Sequence, residues 1–201
     1  MKKILVWDLP VRLGHWLMVG GFILAWATGE SEQWRLVHVF AGSTVMAVAA
    51  YRLLWGIVGS RTARFADFVR GPRQAFAYLG SLLSRAPRHY AGHNPAGGWA
   101  IVLLLALGLA SGASGWLAYQ EIGGEWLEEV HEVLTGLMLA VVGVHVFGVV
   151  AGSLAHRENL VWSMVTGRKQ GRPEEAIDGQ RPLAALLLLL WAATAVWWLA
   201  R

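Results

Sequence analysis

Five long apolar stretches alternate with polar segments along the chain. They span residues 13–28, 36–59, 99–119, 133–155 and 183–200. Each approaches the roughly 20 residues that a helix needs to cross about 30 Å of hydrocarbon. Because lipid offers no hydrogen-bond partners, a crossing segment must satisfy its own backbone groups, as a helix does. The pattern therefore predicts an all-α membrane protein with five transmembrane helices.

The polar segment between the second and third stretches carries apolar residues at helical spacing among its arginines. These apolar residues are Phe65, Phe68, Val69, Phe76, Leu79, Leu82 and Leu83. Such spacing predicts an amphipathic helix that lies on the membrane surface. A solvated loop with incidental apolar residues is the alternative.

The composition narrows the class of protein and the cofactors it can hold. Only 15% of the 201 residues are charged, against about 25% in a typical soluble protein, so little of the chain is left for a soluble domain. The chain has no cysteine, which excludes disulfides, thiolate-held iron–sulfur clusters and covalently attached haem. Any haem must therefore be held non-covalently. The net charge of +4 comes from arginines that flank the apolar stretches, which indicates membrane topology and no binding of nucleic acid.

The positive charges fall on one side of the membrane if every stretch crosses it. That side holds Lys2, Lys3, Arg12, Arg61, Arg64, Arg70, Arg73, Arg85, Arg88, Arg157, Arg168, Lys169, Arg172 and Arg181. The opposite side has Arg35 and Arg201 beside acidic loops. Lysine and arginine mark the cytoplasmic side. We therefore predict a multi-pass protein of the bacterial cytoplasmic (inner) membrane with its N-terminus in the cytoplasm.

Two histidines mark the ends of the fourth apolar stretch. His131 and His145 are fourteen residues apart, which in a helix is about 21 Å along the axis and roughly 40° short of four turns. Both imidazoles therefore point to nearly the same side. Histidine is a frequent ligand of metals and haem iron and is costly in hydrocarbon when unsatisfied. For this helix alone, hydrogen bonds between helices explain the two histidines equally well.

Two further histidines match these in depth. His38 lies near the outer end of the second stretch, level with His131, while His15 lies thirteen residues inward from Thr28, level with His145. We call these the outer level (His38 and His131) and the inner level (His15 and His145). The matched depths predict two haem b groups, each held by two histidines.

Other residues agree with this reading to different degrees. Gly42 follows His38 by one turn and offers flat access for a porphyrin, whereas the glycines of the third stretch also suit close helix packing. Arg12, Arg35 and Arg52 are placed to pair with haem propionates, although Arg52 could instead extend to the headgroups. Three histidines lie in the predicted cytoplasmic segments, where we expect a surface role; a proton relay or a quinone contact is the alternative. They are His89, His93 and His156.

Several segments resemble the bacterial cytochrome b561 family, which is also described as the cytochrome b subunit type of nickel–iron hydrogenases. They are WDLPVRLGHW at 7–16, RLVHVFAG at 35–42, YRLLWGIVG at 51–59, GHNPAGG at 92–98, the H-x13-H stretch and HRENLVWSMVTGRK at 156–169. The resemblance covers residues 1–169 and implies a four-helix bundle with two haem b groups, whose ligands map onto the two histidine levels. Residues 170–201 would form a linker and an extra helix, which is a candidate for docking a partner or closing a homodimer.

Two haems stacked across a bilayer predict electron transfer across the membrane. Ligation by two histidines leaves no open position on iron, which disfavours oxygen activation. We expect transfer between the quinone pool and a periplasmic partner, which the family suggests is a c-type cytochrome or a dehydrogenase subunit. One alternative is a membrane-anchor subunit of a periplasmic dehydrogenase or hydrogenase complex. The other is a transporter or scaffold without haem, whose histidines relay protons.

Overall fold

The computed structural model describes residues 2–84 and 87–199 of the chain. Its elements, in order, are β1 (Lys2–Leu5), α1 (Leu9–Thr28), α2 (Arg35–Val58), α3 (Phe65–Phe68), α4 (Pro72–Leu82), α5 (Pro95–Tyr119), α6 (Trp126–His156), α7 (Leu160–Thr166), β2 (Arg168–Gly171) and α8 (Pro182–Leu199). Five of these helices (α1, α2, α5, α6 and α8) are long and apolar enough to cross a membrane. The predicted all-α membrane architecture is confirmed. Arg85, Ala200 and Arg201 lie outside the described residues.

Capping residues explain why two of the spanning helices begin earlier than the apolar pattern predicts. The side chain of Asp8 accepts a hydrogen bond from the backbone of Val11 at 3.0 Å, and a proline occupies the first turn of α1. Asn94 caps α5 in the same way, accepting from Gly97 at 2.8 Å ahead of another proline-bearing first turn. Such caps satisfy backbone donors that a helix start leaves free. The polar cap residues therefore extend each helix beyond its apolar stretch.

The spanning helices pack as two pairs joined in the middle. α1 packs on α2, α5 packs on α6, and α2 joins the pairs by packing on α5. Between the two histidine levels, Val45, Leu107 and Met138 form a buried cluster, and Phe22 of α1 packs against it. An apolar layer therefore separates the inner level from the outer level.

Helix α8 packs against α1 and α2 and so belongs to the same bundle. Leu188 is completely buried in a cluster with Val48. The indole nitrogen of Trp191 donates to the carbonyl of Ala47 at 2.7 Å, which satisfies a polar group inside the bundle. The division of the chain at residue 170 stays a prediction. The extra helix, however, packs against the other spanning helices.

A small folded cap, absent from the sequence prediction, covers the side of the bundle that carries the N-terminus. β1 and β2 pair antiparallel, with Lys2 opposite Gly171 and Leu5 opposite Arg168. The glycine between α7 and β2, Gly167, has a φ of +78°, and its carbonyl accepts from the backbone of the two residues that follow β1. A Cβ at Gly167 would lie 2.7 Å from a backbone oxygen, so only glycine fits this turn.

The predicted amphipathic helix exists, although it is broken into α3 and α4. Pro72 starts α4, and a helix rarely continues through the residue before a proline. On α4, Phe76 and Leu79 are exposed while Tyr78 is buried, as expected for a helix on a membrane surface. On α3, however, Phe68 is buried against the bundle, so this part of the prediction is wrong.

Candidate functional site

The imidazoles of His38 on α2 and His131 on α6 lie side by side at the outer level. Their ring centroids are 6.0 Å apart, and the ring planes meet at 81°. A metal–nitrogen bond of about 2.0 Å, plus roughly 1 Å from the nitrogen to the ring centre, separates two imidazoles on opposite sides of one metal by about 6 Å. At this spacing, His38 and His131 would be able to hold one iron between them.

Both imidazoles are oriented by a backbone carbonyl through Nδ1. His38 Nδ1 lies 2.8 Å from the oxygen of Ala25, and His131 Nδ1 lies 2.9 Å from the oxygen of Ser111. A carbonyl oxygen can only accept, so each Nδ1 carries the proton and donates. The lone pair of each neutral ring is then on Nε2, as a metal ligand requires. The sequence offered hydrogen bonds between helices as the alternative for His131 and His145; His131 makes one with a single ring nitrogen, and none is found for His145 in the described part of the chain.

The glycines near the outer level have two different roles. A Cβ at Gly115 would lie 2.7 Å from Cε1 of His131, and a Cβ at Gly112 would lie 2.5 Å from a methionine side chain of α2. These two glycines of α5 therefore permit close packing against the ligand-bearing helices. A Cβ at Gly42 would meet no atom within 4 Å, although Gly42 is one turn from His38. Unlike Gly112 and Gly115, Gly42 therefore has free space where a side chain would be, one turn away from His38.

The two imidazoles of the inner level make fewer contacts with each other than those of the outer level. The charge of His145 acts on His15, so the two side chains are electrostatic neighbours. No hydrogen bond or ring contact joins them in the described part of the chain, and Nδ1 of His15 is buried without a partner. Their helices, α1 and α6, are not closely packed against each other there. The structure thus places both imidazoles in one region without fixing them against each other.

Buried nitrogen atoms without hydrogen-bond partners concentrate around the inner level. They are Nδ1 of His15, Nε1 of Trp7, Nε of Arg12, Nη1 of Arg52 and Nε2 of His93. Buried polar groups nearly always have a partner, so a group of such atoms indicates a missing acceptor or water. Donors of arginine and tryptophan suit a carboxylate or a carbonyl oxygen. This set of donors fits the propionates of a haem at the inner level.

Arg52 is the arginine best placed to serve an anionic group. It is 7% exposed, and its Nη2 donates to the carbonyl of Ala63 at 2.8 Å, which leaves Nη1 free. Its guanidinium lies 5.2 Å from the ring centre of Phe65. Because the side chain is enclosed by these groups, Arg52 does not extend to the lipid headgroups. The alternative that the sequence left open for it is therefore wrong.

The other two predicted arginines point elsewhere. Arg12 bonds the carbonyl of Val165 and, at 3.3 Å, the side chain of Gln180, so only its Nε is free. Arg35 is exposed, with its guanidinium 5.5 Å from the ring centre of Tyr119. Arg12 thus ties α1 to the cap, and Arg35 ties α2 to α5. Their roles towards haem propionates stay predictions without a contact that supports them.

The expected surface role of His93 is wrong. Its ring packs between Trp7, with centroids 4.4 Å apart, and Phe68, with centroids 4.6 Å apart, and its Nε2 is shielded from solvent. Burial lowers the pKa of His93 well below 6.5, and the charges of Arg52 and Lys169 lower it further. The sequence held one signal: His93 directly precedes the Asn-Pro cap of α5, which fixes where it enters the bundle.

His89 and His156 also lie together, which the sequence did not predict. Their ring centroids are 5.5 Å apart, and His156 Nε2 is 3.4 Å from the hydroxyl of Tyr78. Nε2 of His89 lies 3.7 Å from a carboxylate oxygen of Glu158. These residues come from α4, the segment before α5 and the end of α6 with the residues after it, so no local pattern could reveal the group.

Comparison with known proteins agrees with this arrangement. Residues 6–167 match the sequence model of the family described as prokaryotic cytochrome b561. A probable Ni/Fe-hydrogenase B-type cytochrome subunit of Bradyrhizobium diazoefficiens is 25% identical over 214 residues, which cover 83% of this chain and 86% of that protein. Proteins of the same description from Rhizobium leguminosarum and Azotobacter vinelandii are each 24% identical; the alignments cover 87% and 84% of this chain, and 92% and 90% of the relatives. No solved structure matches the chain significantly.

The matched region covers most of the chain and includes α1, α2, α5 and α6, which carry all four histidines of the two levels. The resemblance seen in the sequence motifs is thereby confirmed. The family match ends before α8, and the assignment of this helix as an addition to a four-helix form stays a prediction. The chain belongs to the prokaryotic cytochrome b561 family.

Proposed function

We propose that this protein carries electrons across the cytoplasmic membrane between the quinone pool and a periplasmic redox partner, using two haem b groups. Its family makes it a membrane-bound b-type cytochrome in electron transfer. The observation that carries the finer proposal is the outer pair, in which two imidazoles 6.0 Å apart both have Nδ1 bonded to a carbonyl. Haem b supplies one-electron redox chemistry when bound.

The chain's own residues would hold these groups in distinct ways. His38 and His131 would bind the outer iron through Nε2, and His15 and His145 the inner iron. Arg52 would neutralise a propionate at the inner level through its free Nη1. Gly42 would leave room for the outer porphyrin. The apolar layer between the levels excludes water from the path between them.

The distribution of charge supports the proposed orientation. The side with the N-terminus, β2 and the polar segment after α2 is rich in lysine and arginine, which supports the proposal that this side faces the cytoplasm. The opposite side carries seven carboxylates in the described loops and helix starts: Glu30, Glu32, Glu121, Glu125, Glu128, Glu129 and Glu132. A basic periplasmic protein, such as a c-type cytochrome or a dehydrogenase subunit with lysines on its docking face, is the complementary partner.

Quinone is proposed to react at the inner level. The unpartnered Nε2 of His93 lies there, in addition to the arginine and tryptophan donors that a propionate would use. A quinone carbonyl is an acceptor that such a nitrogen can bind.

The exposed leucines of α8 face away from the bundle and are covered by membrane lipid, a partner's helix or a second copy of the chain.

A haem count with histidine variants tests the proposal. The purified protein should give the visible spectrum of a b-type cytochrome and two haems per chain in a pyridine haemochrome assay. His38→Ala and His131→Ala should each remove the same, outer haem, while His15→Ala and His145→Ala should remove the inner one. A colourless protein, or a variant of this set that keeps two haems with an unchanged redox titration, would contradict it.

A second candidate is a membrane-anchor cytochrome b subunit of a periplasmic hydrogenase or dehydrogenase complex. The specific observation in its favour is that the three relatives described above are each named probable Ni/Fe-hydrogenase B-type cytochrome subunits. Co-purification with a large metalloenzyme subunit would favour this candidate. Oxidation of quinol by the isolated protein would favour an independent quinone-linked role.

A further inference from the structure

A group of titratable side chains lies beneath the cap, apart from the two histidine levels. We call it the Glu158 cluster, and it comprises Tyr78, His89, Tyr90, His156, Glu158 and Lys169. One carboxylate oxygen of Glu158 accepts from the backbone of Gln170 at 2.5 Å, and the other lies 3.7 Å from Nε2 of His89. His89 contacts His156, whose Nε2 is 3.4 Å from the hydroxyl of Tyr78.

Lys169 extends the cluster towards the bundle. It is 7% exposed, and its Nζ donates to the carbonyl of Tyr90 at 3.0 Å. Burial lowers the pKa of Lys169, and the charge of Glu158 opposes this shift. The charge of Lys169 acts in turn on His93, and so do the charges of His145 and His15 at the inner level. His93 therefore lies within electrostatic range of both Lys169 and the inner histidines, while the contacts from Glu158 to His89, His156 and Tyr78 are direct.

The cluster is not explained as a structural ion pair. The second carboxylate oxygen of Glu158 and Nε2 of His89 are both buried without a hydrogen-bond partner, and 3.7 Å is too long for a direct bond between them. A bridging water can occupy such a gap. No group of three or more metal-ligating side chains occurs among residues 2–84 and 87–199, which leaves no basis for a metal here. The arrangement is that of groups that exchange a proton.

Charged and titratable groups approach the cluster from every neighbouring element. Tyr78 comes from α4, His89 and Tyr90 from the segment before α5, and Lys169 from β2. The carboxylate of Glu175, in the segment after β2, also interacts electrostatically with His89. Arg52 on α2 faces His93. Two carboxylates, three imidazoles and two buried cations thus share one partly buried region, in which neighbouring groups can exchange a proton through a bridging water.

We propose that the Glu158 cluster conducts protons between the cytoplasm and the inner histidine level. This inference rests on the proposed reaction of quinone at that level. A quinol that is oxidised there releases two electrons and two protons; the electrons pass to the redox centres of the protein, and the protons leave through His93 and the cluster. Reduction of a quinone reverses both flows, with two protons taken up from the cytoplasm.

The test compares Glu158→Gln with Asp67→Asn in the full-length protein with its haems. Asp67 is a matched control, since it is a carboxylate in an exposed pair with Arg64 on the same side of the membrane. Two quantities are measured: proton uptake on reduction, with a pH indicator, and the pH dependence of the inner midpoint potential between about pH 6 and 8. A soluble quinol analogue gives a third measurement, the rate of oxidation.

The wild type and Asp67→Asn should take up protons on reduction and show a pH-dependent inner potential. Glu158→Gln should lose most of this uptake and oxidise the quinol roughly tenfold more slowly, with its haem content unchanged. If Glu158→Gln fails to bind haem, His89→Gln serves as the second variant, since it keeps a hydrogen-bonding side chain. Unchanged proton uptake and pH dependence in the variant that retains haem would overturn the inference.

The result also separates this inference from the proposed function. A wild type that oxidises no quinol, yet takes up protons that Glu158→Gln abolishes, would refute the quinone assignment and support the proton path. Normal quinol oxidation, with the same rate and pH dependence in Glu158→Gln, would keep the proposed function and refute the path.

Discussion

Replacing Gly115 by alanine should remove the outer haem and leave the inner one in place. Gly115 lies on α5, opposite the imidazole of His131, and its missing side chain makes room for that ring. An added Cβ would lie 2.7 Å from Cε1 and 2.8 Å from Nδ1 of His131. The imidazole or the helix must therefore move.

The required movement is large on the scale of metal coordination. Ordinary van der Waals contact begins near 3.4 Å, so the ring must give way by roughly 0.7 Å. Metal–ligand distances tolerate only about 0.2 Å. A rotated ring would also lose its bond to the carbonyl of Ser111, and losing such an orienting bond typically weakens metal binding by about 10- to 100-fold.

Gly108→Ala is the matched control on the same helix. A Cβ there would lie 3.4 Å from Val45 and 3.7 Å from Met138, so it meets close but tolerable contacts between the two levels. Because alanine favours a helix over glycine by up to about 1 kcal/mol, this variant should fold at least as well as the wild type. Any general effect of a methyl group on α5 would appear in both variants.

The assay is a pyridine haemochrome count with a redox titration of the purified variants. Gly115→Ala should bind about one haem per chain and lose the component that His131→Ala also loses, whereas Gly108→Ala should keep two. Two haems and an unchanged titration in Gly115→Ala would refute the assignment of His131 as an outer ligand.

Four other changes follow from contacts in the structure. Arg52→Gln should lower the inner midpoint potential in a redox titration, because it removes a buried positive charge. Asp8→Ala should lower the thermal stability by about 2 kcal/mol, since a helix cap and an indole both lose their acceptor. Trp191→Phe should cost about 1 kcal/mol in the same assay and leave the haem count unchanged. Burial lowers the pKa of His93, so below about pH 6.5 the unfolded chain binds a proton that the folded chain excludes. The stability of the wild type in thermal unfolding should therefore fall as the pH drops below about 6.5. The stability of His93→Gln should fall less.

The sequence was sufficient to predict the spanning helices and the depth of the histidines. Both depend on local properties: the length of an apolar stretch, and the rise of a helix from a histidine to a helix end. The matched depth of His38 and His131 followed from those two properties, whereas their side-by-side position depends on the packing of the helices. The tautomer of each ring did not, because it depends on carbonyls of Ala25 and Ser111 in other helices.

The parts that the sequence could not predict are those made by distant segments. The sheet of the cap pairs residues 2–5 with residues 168–171, and neither strand has a strong pattern of its own. His93 was assigned a surface role because it lies in a predicted cytoplasmic segment, yet Trp7 and Phe68, from other parts of the chain, pack against its ring. Long-range packing, and not local propensity, decided the environment of these residues.

The charges around the two levels give the electron path a direction. Near the inner level, the cations Arg52 and Lys169 are each 7% exposed and are partly offset by Asp8 and Glu158, whereas the outer level lies beneath a face with seven carboxylates and few cations. At an effective dielectric constant near 20, a unit charge about 10 Å away changes the energy of an electron by about 1.7 kcal/mol. This energy corresponds to a change in reduction potential on the order of 70 mV. Positive charge raises a reduction potential and negative charge lowers it, so an electron is more stable at the inner level. If haems and quinone bind as proposed, these charges would favour transfer from a periplasmic donor to quinone on the cytoplasmic side, and Arg52→Gln should reduce the difference in potential that drives it.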